Sequence, residues 1–146
     1  MLGGMEAKEI QRGRLIDHLH LVVRDIEASR KFYAAIFEVL KIPLGSKGDD
    51  FFQYDELYVS NVKQSATQEK TGRVHLAFAT RDQAVVDAAH AAGVAAGGRD
   101  NGAPGERAQY HPGYYGAFLL DPDGNNIEIV FHGTAKYSAD SVHITW

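Results

Sequence analysis

Two stretches of this chain repeat one order of apolar and polar positions. Residues 15–23 form an apolar run that stops at Arg24-Asp25, which predicts a buried strand. Asp25 suits an N-cap, because its carboxylate can accept the free amide hydrogens of a first helical turn. Ile26, Phe32-Tyr33 and Ile36-Phe37 then recur at near-helical spacing, so a helix with one apolar stripe is expected to about Leu40. Pro43 and Gly45 end that region. Residues 51–60 alternate imperfectly and carry β-formers, which predicts one or two strands. Residues 61–72 are polar and read as a linker. The order then starts again. Residues 73–80 predict a strand, Asp82 a cap, and Val85, Ala88-Ala89 and Ala92 a small-residue helical face ending at Gly93. Residues 97–105, rich in Gly, Asp, Asn and Pro, read as a loop. Residues 114–120 and 126–131 predict two strands joined by the tight turn Asp121-Pro122-Asp123-Gly124, where Pro presets φ and Gly tolerates its positive values.

Each stretch thus reads as a strand, a helix and returning strands, taken as a βαβββ module, and the chain reads as α+β. One domain is expected over residues 15–132, with a first module at 15–60, a linker at 61–72 and a second module at 73–132. Residues 1–14 are expected to be a loose tail. The tail 133–146 carries Tyr137 and Trp146 and is expected to dock on the body or join a subunit contact.

A motif inside the repeat sharpens the picture. His18-Leu19 leads to Arg24-Asp25, and His75-Leu76 leads to Arg81-Asp82 at the same spacing. Such recurrence usually means one supersecondary unit built twice. Packing two units together can bring histidines from equivalent strands into one cavity. Alternate strand residues share a face, so His18, His20 and Val22 lie opposite Leu19, Leu21 and Val23. Glu128 is a carboxylate in an otherwise apolar strand, with Ile127, Ile129 and Phe131 facing the other way. A buried lone carboxylate is costly unless it is paired or binds a metal. Two histidines and one glutamate form a reasonable set for a divalent ion (Zn, Ni, Mn, Co or Fe) with positions left open for water or substrate. Taken singly, each has a plainer reading: a hydrogen-bonded strand histidine, a carboxylate at a wet edge, an ordinary turn. A purely structural repeat, however, gives no reason to keep a histidine at the same strand position. His20, His90, His111, His132 and His143 have no such counterparts and read as surface or supporting residues.

Composition narrows the classes of function. The 146 residues carry 15 Lys and Arg against 19 Asp and Glu, a net charge of −4. No basic stripe is present, so a nucleic-acid partner is not expected. With no cysteine, thiolate ligands, disulfides and cysteine nucleophiles are excluded. The first residues lack an apolar signal core, and no apolar run approaches the ~20 residues of a membrane span. A cytoplasmic protein without membrane contact is the expectation.

Ile16-Asp17-His18-Leu19 with Asp25 and Phe32-Tyr33, then Val74-His75-Leu76, then Asp121-Pro122-Asp123-Gly124-Asn125-Asn126-Ile127-Glu128, make the chain resemble the vicinal oxygen chelate superfamily. That superfamily includes glyoxalase I, extradiol dioxygenases, fosfomycin-resistance enzymes and bleomycin-resistance proteins. The resemblance covers about residues 15–132. It implies paired βαβββ modules forming a cupped, barrel-like sheet, with His18, His75 and Glu128 as metal ligands. It also implies a homodimer and a small-molecule substrate with vicinal oxygens. A glyoxalase-like isomerase or lyase is the first activity it suggests. An extradiol-type Fe(II) dioxygenase is the second, and a bleomycin-resistance-like binder without catalysis the third; such binders generally lack the ligand triad. Two departures stand out. The family's glycine after the Phe-Tyr pair is replaced by Phe37-Glu38, so a longer first helix is expected. Glyoxalase I adds a fourth ligand, a glutamate late in the first module that doubles as base, and Glu56 is the candidate for it beside Glu128. No glutathione-recognition or potassium-loop pattern is evident. Tyr114 and Tyr115 are candidates to line a pocket, and Arg107 and His111 to bind an anionic group.

Overall fold

The two predicted caps start the two helices. Asp25 accepts from the amide of Ala28 at 3.1 Å to open α1 (Ile26–Leu40), and Asp82 accepts from Ala84 at 2.9 Å to open α2 (Gln83–Ala95). The computed structural model describes residues 9–12, 15–64 and 68–145; the expectations for residues 1–8, 13–14, 65–67 and Trp146 lie outside these. Helix α1 continues to Leu40, where Lys41 caps it in the left-handed region at φ 60°. Helix α2 passes Gly93, which does not end it. A Cβ on Gly93 would come within 2.7 Å of Leu119 and 3.2 Å of Ile36, so this glycine lets α2 close on its neighbours.

The first module places β2 (Leu19–Val23) before α1 and β3 (Ser46–Gly48), β4 (Phe51–Tyr54) and β5 (Leu57–Asn61) after it. Its sheet runs β2-β5-β4-β3, with β2 parallel to β5. The second module repeats this plan with β6 (His75–Thr80), α2, β7 (Arg99–Glu106), β8 (Tyr115–Leu120) and β9 (Asn126–Phe131). Its sheet runs β6-β9-β8-β7, with β6 parallel to β9. The fold is therefore two paired βαβββ modules, and among the described residues the two sheets do not close on each other through hydrogen bonds.

Two further expectations are corrected. Residues 97–105 are not a loop: Arg99–Glu106 is the edge strand β7, with register shifts between Asp100 and Gly102 and between Gly102 and Gly105. An edge strand tolerates the missing amide of Pro104, and the bulges absorb Gly102 at φ 154°. Arg107 pins this strand by donating to the carbonyls of Ala103, Gly105 and Gly116. The ends are also more ordered than expected: β1 (Glu9–Arg12) pairs antiparallel with β10 (Val142–Thr145). Arg81, from the repeated motif, holds the final segment through Asp140 at 2.6 Å and the carbonyl of Ala139 at 2.8 Å, and it lies over the Tyr137 ring.

One core serves both modules. Leu21, Val23, Phe32, Tyr33, Ile36, Phe52 and Val59 from the first join Val86, Ala89, Ala117, Leu119, Ile127 and Ile129 from the second, all fully buried. The helices pack against each other within it. The Asp121-Pro122-Asp123-Gly124 turn fastens the modules together. Asp121 is buried and accepts from Tyr33 Oη of α1 at 2.6 Å, from the amides of Asp123 and Asn125, and from Asn125 Nδ2. Asn125 Oδ1 in turn accepts from Val74 N, just before β6, and Asp123 accepts from Arg24 N. The most specific motif in the sequence is thus an inter-module latch. No helix among the described residues is long and apolar enough to cross a membrane.

Candidate metal centre

Because inner-face residues of each sheet go to the shared core, the alternate residues are left on the outer faces. On β6 these are His75, Ala77 and Ala79, all exposed. On β9 they are Asn126, Glu128 and Val130. Glu128 is only 3% exposed despite facing outward, and its two oxygens explain how. Oε1 lies 2.9 Å from His75 Nε2, and Oε2 accepts from the hydroxyl of Tyr114. Gly116, beside them on β8, keeps the space open, since a Cβ there would lie 3.3 Å from Glu128 Oε2. Burial and the Glu128 carboxylate push the Tyr114 phenol up to about 12, so it donates at neutral pH. The 2.9 Å between His75 Nε2 and Glu128 Oε1 is about the separation of neighbouring ligand atoms at right angles around one ion, each at ~2.1 Å. These two residues therefore fit a shared divalent cation.

His18 stands apart from this pair. Among the described residues no three His, Asp or Glu side chains lie close enough to share an ion. His18 is exposed just before β2, and its Nδ1 is 2.7 Å from Asp17 Oδ1. A carboxylate can only accept, so Nδ1 donates, which in the neutral imidazole leaves the lone pair on Nε2. That is the usual support for a metal-binding imidazole. His20, two residues on and on the same face, bonds Ser60 Oγ at 2.7 Å and meets the Tyr58 ring edge-on. Burial lowers its pKa.

The other candidates have different settings. Glu56 sits in the two-residue turn joining β4 to β5 and lines a crevice of about 560 Å³ with Phe37, Leu40, Leu57, Leu76 and Phe78. Neither His75 nor Glu128 lines that crevice. Tyr115 donates to Asp87 of α2. Arg107 is occupied by the backbone of the β7–β8 region. His111 Nε2 lies 3.0 Å from His132 Nδ1, and both rings pack on Tyr114. That pair escaped sequence reading because nothing in the spacing of residues 111 and 132 signals a contact.

Comparison with known proteins follows the same lines. The model of the Glyoxalase/Bleomycin resistance protein/Dioxygenase superfamily matches residues 15–129. A glyoxalase/bleomycin resistance protein from Albidiferax ferrireducens T118 is 30% identical with a TM-score of 0.68, over 80% of this chain and 98% of that one. A glyoxalase/bleomycin resistance protein/dioxygenase family enzyme from Burkholderia phytofirmans PsJN is 25% identical with a TM-score of 0.61, over 80% and 97%. A glyoxalase-related enzyme from Fulvimarina pelagi shares the fold at 23% identity and a TM-score of 0.64, over 86% and 99%. No curated protein matches the chain.

Proposed function

This chain belongs to the Glyoxalase/Bleomycin resistance protein/Dioxygenase superfamily, and from that premise we propose that it is a metal-dependent isomerase or lyase acting on a small molecule with two adjacent oxygens. The observation that carries the reading is the buried Glu128 carboxylate, paired with His75 on an otherwise open sheet face. His18, His75 and Glu128 are the proposed ligands.

The separation of His18 from the other two supports a site shared between copies. One chain carries two half-sites on outer faces, one with His18 and one with His75 and Glu128. A closed two-fold dimer, the commonest oligomer, lets the first half of one copy meet the second half of the other, building two equal sites. The proposed state is thus a homodimer whose sites lie between copies. A bound Zn, Ni, Mn, Co or Fe ion would act as a Lewis acid on the substrate oxygens. The chain's own residues prepare the ground. His18 is held in the ligating tautomer by Asp17. Tyr114 fixes one oxygen of Glu128, which leaves the other to face His75 and substrate. Glu128 is the proposed acceptor of a substrate proton. Glu56, away from His75 and Glu128 within one chain, is kept as the competing base.

A two-histidine, one-carboxylate set also suits Fe(II) and oxygen, which supports an extradiol dioxygenase as the second reading. The test is a panel of α-ketoaldehyde–thiol adducts, catechols and electrophilic antibiotics, each with and without chelator. Turnover that stops on chelation and returns with a divalent ion, without oxygen uptake, is expected. Oxygen consumption with a catechol moves the protein to the dioxygenases. Tight, chelator-independent binding without product replaces both enzyme readings with a sequestering protein.

A further inference from the structure

The two modules differ at one outer-face position that the repeat itself identifies. His18-Leu19 and His75-Leu76 are equivalent. Across the parallel pair of the second module, Leu76 faces Ile127 and the next residue, Ala77, faces Glu128. Across that of the first, Leu19 faces Leu57 and the next residue, His20, faces Tyr58. Tyr58 therefore stands in the first module where Glu128 stands in the second. Glu56 does not: by the same register it matches Asn126.

The surroundings of Tyr58 are those of a held side chain with a free end. Its ring stacks on Phe51 at 5.5 Å and takes the edge of His20 at 4.9 Å. His20 is itself tied to Ser60. The ring is thus fixed on both sides, while no described residue hydrogen-bonds the Tyr58 hydroxyl. Its counterpart Glu128, by contrast, has both oxygens engaged. A phenol keeps its proton at neutral pH, so Tyr58 presents a proton rather than a charge. A neutral phenol is a poor ligand for the ions considered, but a good donor to an oxygen on which negative charge develops.

We infer that Tyr58 is a substrate-contacting hydrogen-bond donor occupying the place of a fourth protein ligand. The inference rests on the proposed dimeric site, in which Tyr58 arrives with His18. Two consequences follow. The ion keeps only three protein ligands, which leaves a further position for a substrate that chelates through both oxygens. The Tyr58 hydroxyl then favours substrates whose chelating oxygens carry negative charge, as those of an enediolate or a catecholate do.

The experiment uses the full-length protein loaded with Co2+, read by its visible absorption and by titration, with catechol as the bidentate probe. In Y58F, the Co2+ affinity and spectrum are expected to stay as in the parent, while catechol binds about fivefold to tenfold more weakly, the loss of one hydrogen bond. In Y58E, a fourth ligand is restored. Co2+ should bind at least about tenfold tighter with a changed visible spectrum, and catechol, left two positions but facing a carboxylate instead of a donor, should bind more weakly than to the parent. A changed Co2+ spectrum in Y58F overturns the inference by making Tyr58 a ligand. Unchanged catechol affinity in Y58F, or unchanged metal binding in a folded Y58E, overturns it by placing Tyr58 away from the ion. Parent protein that takes up no Co2+ overturns the metal site as well. Uptake lost in E128A but indifferent to Y58E overturns the role of Tyr58 alone.

Discussion

Replacing Tyr33 by Phe tests whether the Asp121 turn holds the modules together. The ring stays, so packing is unchanged and only the hydroxyl leaves. That hydroxyl is fully buried and donates at 2.6 Å to Asp121 Oδ2. Hydrogen bonds to charged groups contribute ~1.5–3 kcal/mol. Oδ2 keeps its bond from Asn125 Nδ2 at 2.8 Å, and no donor is orphaned, so the loss should lie near the lower end, at about 2 kcal/mol. Asp121→Ala is harsher. It strips partners from the Tyr33 hydroxyl, the Asp123 and Asn125 amides and the Asn125 side chain, and should cost at least about 4 kcal/mol. Urea unfolding of metal-free protein, at one protein concentration because a dimer is expected, reads both. For Y33F the midpoint should fall by about 1 M with an unchanged slope, taking m near ~2 kcal/mol/M. A loss under ~0.5 kcal/mol in Y33F, or normal stability in the Asp121 variant, refutes the latch and returns the motif to a mere turn.

Three further outcomes are expected. Glu128→Gln keeps the size of the side chain but removes its charge, so metal uptake should drop at least about tenfold in equilibrium dialysis while the circular dichroism stays native. In metal-free protein the Tyr114 phenol should ionise near pH 12 rather than 10; its folded value is raised, so its contribution to stability is intact below pH 10 and lost as pH rises through about 12. The difference in absorbance at the phenolate band between parent and Y114F should show this step, and a step near 10 would remove the Glu128 contact. Arg81→Ala releases Asp140, Ala139 and Tyr137, so limited proteolysis should cut residues 133–145 faster in the variant while the domain survives; equal cutting rates would show that Arg81 does not hold the tail.

Local chemistry was legible wherever one residue decides the outcome. Asp25 and Asp82 cap their helices because a short carboxylate at that position satisfies exposed amides regardless of tertiary context. Glu128 announced itself by breaking the apolar alternation of its strand, and the structure supplies the partners that burial demands. Strand β7 was hidden because its Gly, Asp and Pro residues signal a turn, and only edge placement, bulges and Arg107 make them a strand. The role of Asp121 was hidden for another reason. The turn is local, but Tyr33 reaches it from the other module. Tyr58 was out of reach because the segments joining the first and last strands differ in length between the modules. Only the observed register shows which residue faces the one after the repeated leucine. His18 stays away from His75 and Glu128 within one chain because the residues opposite them on each sheet are drawn into a shared core.

The central claim is a site made of His18 from one copy and His75 with Glu128 from the other. Mixed dimers test it directly. H18A and E128A are co-expressed and their metal content compared with each variant alone. Neither variant alone retains an intact site. A mixed dimer, however, has one intact site and one doubly broken site. Random pairing makes half the dimers mixed, so about a quarter of all sites should hold metal with parental affinity. That fraction is the predicted result. No recovery of metal binding in demonstrably mixed dimers would contradict the account.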